Sequence, residues 1–160
     1  MGVTRVAGVH VKSGALNVSI VELTDDGFLK LVSTTRLQPN SALPDTTRLA
    51  DLADRFHQHL SPLSVSSVAI LDTRSFGSWK YADAFARVFG ICAVLQGSTM
   101  LPVEAITYRT NKVGASVSLQ PNKLNQFAAE SVGQESSPTY WTTGMAEAAA
   151  TAVHVLKGRS

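Results

Sequence analysis

The sequence predicts an α/β domain built on a mixed sheet with helices on both faces. Three observations carry that prediction. The first third of the 160 residues holds three short apolar or alternating stretches, separated by turn signals at Ser13-Gly14 and Asp25-Asp26-Gly27. Beyond residue 45, helical periodicity alternates with short apolar runs. The chain closes on an alanine-rich stretch, AEAAATAVHVL, suited to a helix lying close against a sheet. Three strands followed by alternating helices and strands suggest a mixed sheet covered on both faces. At this length one domain over residues 1–160 is expected, with a core of its own.

The elements follow in order. Arg5 to Val11 and Asn17 to Thr24 are the first two strands, and Phe28 to Leu37 the third, forming an antiparallel meander. Gln38 to Pro44 is a loop. Asp45 or Thr46 caps a helix to about Leu60 whose inward face carries Leu49, Leu52, Ala53, Phe56 and Leu60. Val65 to Asp72 (VSSVAILD) reads as a buried strand, and Ser78 to Phe89 as a second helix that Gly90 closes. Ile91 to Leu95 is then the expected fifth strand. Pro102 to Lys112 begins another helix, Gly114 to Pro121 is a loop, Asn122 to Val132 a further helix, and Thr143 to Leu156 the last.

Composition narrows the function classes. Apolar residues make up 44% and charged residues only 16%, and the formal net charge is +2. A pI near 8.9 permits contact with nucleic acid, but no dense Lys/Arg run demands it. Cys92 is alone, so no intrachain disulfide forms, and its apolar setting suggests a small buried residue. No apolar stretch reaches the length of a membrane span and no secretory leader pattern opens the chain, so no membrane partner and a cytoplasmic location are expected. No Ser-His-Asp order, CxxC pair, P-loop or dinucleotide fingerprint is present.

The stretch RVAGVHVKSGALNVSIVEL from Arg5 to Leu23 resembles the opening hairpin of the RNase H-like superfamily, and of the Holliday-junction resolvase RuvC family in particular. The likeness extends from Val6 to Leu156. It implies an RNase H-like, RuvC-like α/β fold with a mixed five-stranded sheet and helices on both faces. In that family the first strand carries a metal-binding aspartate after a glycine; Gly8 matches the glycine and His10 stands in the aspartate's place. The fourth strand, VAILDTR, resembles the segment that carries a glutamate; the matching position is Leu71, with Asp72 one residue late. Leu101 to Gly114 resembles the next strand–helix passage. The final helix, GMAEAAATAV, resembles one bearing two aspartates three residues apart, matched here by Gly144 and Glu147. The Ser13-Gly14 turn also resembles the phosphate loop of sugar kinases and actin-like ATPases. Those enclose a nucleotide between two such domains, and this chain holds one and lacks the acidic residue of their turn.

Nucleases of this superfamily use two Mg²⁺ ions about 4 Å apart to activate a water and stabilise the leaving oxygen. Mg²⁺ takes hard oxygen ligands and is held poorly by an imidazole. The resemblance therefore implies a degenerate site and no expected cofactor. The chain is then a binding module for branched DNA or another structured nucleic acid, or for a protein partner, and a homodimer if it keeps the family's habit. The alternative is a metal-dependent endonuclease or junction resolvase with a rewired site, in which His10, Asp72 and Glu147 hold Mg²⁺ or a softer ion such as Mn²⁺ or Zn²⁺. A one-residue shift along a strand turns a side chain to the other face, which counts against Asp72. Each residue also has a plain structural role open to it: His10 as a packed mid-sheet imidazole, Glu147 as a helix-start acid, Asp72 as a turn opener.

The segment TRSFGSWK places Arg74, Phe76, Trp79 and Lys80 in a loop beyond a strand end, a mixture suited to stacking and phosphate contact, or to stapling the loop onto the next helix. Arg109, Lys112 and Lys123 are further candidates to flank a nucleic-acid path, or scattered solvated charges. Tyr140-Trp141 reads as a hydrophobic staple before the last helix.

Overall fold

Ser13 and Gly14 both adopt positive φ, 52° and 78°, which is the two-residue turn whose twist suits a tight hairpin. It joins β1 (Thr4–Lys12) to β2 (Ala15–Leu23) in a register that pairs Lys12 with Ala15 and His10 with Asn17. The computed structural model describes residues 3–73 and 81–158. β3 (Leu29–Leu37) completes the meander against β2, with a register shift between Ile20 and Val21. β4 (Ser67–Asp72) lies parallel to β1, and β5 (Glu104–Arg109) parallel to β4. The sheet order is β3-β2-β1-β4-β5.

Period-two alternation sends the side chains of β1 to two separate cores. Ala7, Val9 and Val11 join Leu16, Val18, Ile20, Val68 and Ile70 beneath α1 (Asp45–Leu60) and α2 (Tyr81–Met100). On α1 the predicted inward residues Leu52, Ala53, Phe56 and Leu60 are all fully buried. Val6, Val21, Ala69 and Leu71 face the other way, against α4 (Met145–Lys157) and the elements beside it. α4 lies very close to β1: a Cβ at Gly8 would fall 1.8 Å from the Ala148 carbonyl oxygen. Only a glycine on the strand, facing alanines on the helix, allows that approach. No helix among the described residues is long and apolar enough to cross a membrane.

Five expectations need correction. Ile91 to Leu95 is not a strand; α2 runs unbroken through it to Met100. Gly90 does not end the helix. It lets the helix press on the sheet, since a Cβ there would lie 2.6 Å from Val11 Cγ1. The fifth strand is instead Glu104–Arg109, inside the stretch expected to be helical, and α3 (Thr110–Val117) follows it at once. Residues 122–132 form no continuous helix but two 3₁₀ segments, Pro121–Gln126 and Ala129–Val132. Cys92 is exposed rather than buried.

Candidate functional site

β1 and β4 end side by side, and the first turn of α4 crosses above their ends. This places His10 and Glu147 together, with His10 Nε2 3.7 Å from Glu147 Oε2. Both line a cavity of about 510 Å³ with Lys12, Leu71, Thr73, Thr110, Pro121, Asn122, Leu124 and Asn125. His10 Nδ1 and Glu147 Oε1 are shut off from solvent without a hydrogen-bond partner. What the pair presents to the cavity is therefore Nε2 and Oε2.

Burial controls the charge of this pair. Loss of solvent lowers the His10 pKa to about 4, with the Lys12 ammonium a further cause in the same direction. Loss of solvent raises the Glu147 pKa, against smaller lowering contributions from its own backbone N–H and from Lys12. At neutral pH the imidazole is neutral, so the 3.7 Å contact is not an ion pair.

Asp72 does not join them. It is one residue beyond Leu71 on β4 and so points to the opposite face, where Arg87 Nη2 of α2 donates to its Oδ1 at 2.6 Å. The expected trio thus separates into a pair, His10 with Glu147, and a distant carboxylate bound to an arginine. Gly144 stands at the N-terminus of α4 with φ 145°. A Cβ there would come within 2.5–2.8 Å of the Asn17 side-chain amide. Asn17 is itself buried opposite His10, its Nδ2 donating to the His10 carbonyl at 3.2 Å while its Oδ1 finds no partner.

Of the basic candidates, Lys112 and Lys123 are exposed and follow the lining residues Thr110 and Asn122 by two residues and one residue, whereas exposed Arg109 pairs in register with Asp72 and so belongs to the face away from the cavity. Arg74, Phe76, Trp79 and Lys80 lie outside the described residues. Trp141 is buried, its Nε1 donating to the Phe127 carbonyl at 2.7 Å, while Tyr140 is half exposed under the Arg36 guanidinium. Sequence reasoning missed Lys12 and Asn17 at the site. The Ser13-Gly14 turn was the available signal for both, because it fixes which residues of the hairpin face one another.

No protein-family model matches the chain, and no curated protein sequence matches it. Solved structures do. A Thermus thermophilus RuvC in complex with a Holliday junction substrate superposes with a TM-score of 0.78 at 17% identity, over 98% of this chain and 96% of that one. Another T. thermophilus RuvC structure gives 0.77 at 16% identity, over 97% of each chain. The yeast mitochondrial Holliday junction resolvase gives 0.62 at 11% identity, over 94% of this chain and 77% of that one. The chain has the RNase H-like fold of RuvC.

That fold implies a pair of divalent ions at this place. The donors here are one neutral imidazole and one carboxylate that has an oxygen already buried. Among the described residues no three His, Cys, Asp or Glu side chains gather to hold a metal ion. Two Mg²⁺ ions need several shared oxygen ligands, and this donor set does not fit them.

Proposed function

We propose that this chain binds branched or otherwise structured nucleic acid through the RuvC-like scaffold and has lost two-metal phosphodiester cleavage. The observation that carries the loss is the packing of Asn17 over Gly144. The position matched to a family aspartate is not merely substituted: its backbone is in a conformation L residues rarely adopt, and the space a side chain needs is filled. Binding is supported by the full-length likeness to a RuvC held on a Holliday junction. It is supported too by Lys12, an exposed cation that lines the cavity, and by the exposed Lys112 and Lys123, two residues and one residue along the chain from the lining residues Thr110 and Asn122. Lysine and arginine contacts to phosphates provide sequence-independent affinity.

A homodimer belongs to the same proposal. Val88, Cys92 and Leu95 are exposed at helical spacing on α2, an apolar stripe that a second copy would cover. The same stripe supports the broader protein-interaction role. A rewired nuclease is the second reading, favoured by the 3.7 Å spacing of His10 Nε2 and Glu147 Oε2. One softer ion such as Mn²⁺ could be held between a neutral imidazole and a carboxylate, supplying Lewis-acid activation of a water. Asp72 has no part in it.

The binding claim is tested by titrating labelled four-way junction and matched linear duplex in EDTA over a range of salt. Tighter binding of the junction, with Lys12→Ala and Lys112→Ala each flattening the salt dependence by about one phosphate contact, supports it. Equal binding of both substrates, or none, sinks it.

A further inference from the structure

We propose that the cavity beside His10 and Glu147 receives one unpaired nucleotide, with its base against the interior and its phosphate at Lys12. The proposal rests on the nucleic-acid reading above and names what this particular site would take. The volume of about 510 Å³ falls in the range of small-ligand sites, roughly 300–1,000 Å³. Its lining is mixed in a specific way. Leu71, Pro121 and Leu124 give apolar surface, Thr73, Thr110, Asn122 and Asn125 give neutral donors and acceptors, and among the described residues the charged groups are Glu147 and Lys12.

The charge placement selects among ligand classes. An inorganic anion drawn to Lys12 would meet the Glu147 carboxylate in the same space. A small cation drawn to Glu147 would meet the Lys12 ammonium. A neutral, flat, hydrogen-bonding ring tethered to a single negative phosphate suits both charges at once. Bases taken out of a stack are read in this manner, by hydrogen bonds to the Watson–Crick edge within an apolar-walled pocket.

The inner atoms refine the choice of base. An ionised carboxylate only accepts hydrogen bonds, and Glu147 offers Oε2 for the purpose. His10 Nε2, 3.7 Å away, makes one further bond as donor or acceptor according to tautomer. Guanine presents two adjacent donors, N1–H and the 2-amino group, that can converge on the one available oxygen, Glu147 Oε2. Uracil presents one donor flanked by two carbonyl oxygens that a carboxylate repels. Guanine is therefore the favoured base. A four-way junction or other branched structure would supply such a nucleotide at little cost, because its pairing is already interrupted.

The test is an NMR titration of the protein in EDTA with guanosine monophosphate, uridine monophosphate and inorganic phosphate. Saturable shifts of His10, Thr110 and Asn125 with guanosine monophosphate are expected, with uridine monophosphate weaker by about tenfold, the value of one charge-assisted hydrogen bond. Inorganic phosphate should leave those signals in place. Glu147→Gln should remove the preference for guanine, and Lys12→Ala, an exposed change that does not disturb the fold, should weaken both nucleotides equally. Equal shifts from phosphate alone, or no shifts at the cavity, would overturn the proposal. A native gel with four-way junction on the same samples separates the two ideas. A shifted junction without a nucleotide response removes the pocket alone. A nucleotide response without a shifted junction keeps the pocket and removes junction binding.

Discussion

The Asn17 side-chain amide fills the space into which a Cβ at residue 144 would project, 2.5–2.8 Å away. Asn17 is placed there by the hairpin register that sets it opposite His10. Gly144 is placed there by the 3₁₀ turn Trp141–Thr143 that feeds α4. The two residues that resemblance matches to metal-binding positions of the family, 10 and 144, are therefore tied together through one buried asparagine.

Gly144→Ala should destabilise the protein by about 1–3 kcal/mol from backbone strain at φ 145°, before the clash with Asn17 is counted. Asn17→Ala in the same chain should recover the clash component and not the strain, giving a non-additive cycle. Thermal unfolding of the four proteins measures it. Simple additivity would mean that the two side chains do not share the space.

Stability should depend on pH through His10. Its folded pKa, about 4, lies below the ordinary 6.5, so the unfolded chain binds the proton more readily. The contribution is fully present above pH 6.5 and is lost as pH falls toward 4, up to roughly 3 kcal/mol for a shift of this size. Glu147 acts in the opposite sense: its pKa is raised on folding, so its contribution is present below about 4.5 and is lost as pH rises through the raised value. Denaturant unfolding of His10→Gln should show a flatter pH profile between 4 and 6.5. An unchanged slope there would contradict burial of a neutral imidazole.

Asp72→Ala should cost stability and leave binding alone. It removes a 2.6 Å carboxylate partner from a guanidinium whose side chain is 17% exposed, on the face away from the cavity. Breaking a buried pair of this kind costs about 3–5 kcal/mol. Urea unfolding and junction affinity, read on the same sample below the unfolding range, should separate. A variant as stable as the parent but defective in binding would place Asp72 in the site after all.

Leu95→Glu tests the apolar stripe on α2. Leu95 is 43% exposed, so the change should leave the fold intact and disperse a dimer in sedimentation velocity. A parent protein that sediments as a monomer at high micromolar concentration would remove the homodimer from the proposal.

The parts legible in the sequence are those set by local chemistry. Ser13-Gly14 announces the hairpin, the spacing from Leu52 to Leu60 announces the inward face of α1, and period two correctly turns Asp72 away from the site. The run ICAVL misleads because a short apolar stretch has the same composition in a buried strand and in a helix that is apolar on most sides. Glu104–Arg109 is missed because an edge strand, exposed along much of its length, shows no clean alternation. Nothing local joins Arg87 to Asp72 or Asn17 to Gly144, since those contacts are made by packing across the sheet. The meeting of His10 and Glu147 was in reach only through resemblance to a family.

On this reading the scaffold holds nucleic acid without cutting it. Labelled four-way junction is incubated with the protein in Mg²⁺, in Mn²⁺ and in EDTA, and each sample is divided between native and denaturing gels. A shifted junction is expected in all three conditions, with an intact strand on every denaturing lane. Cleavage that requires a metal and disappears in Glu147→Gln would contradict it and establish a rewired nuclease.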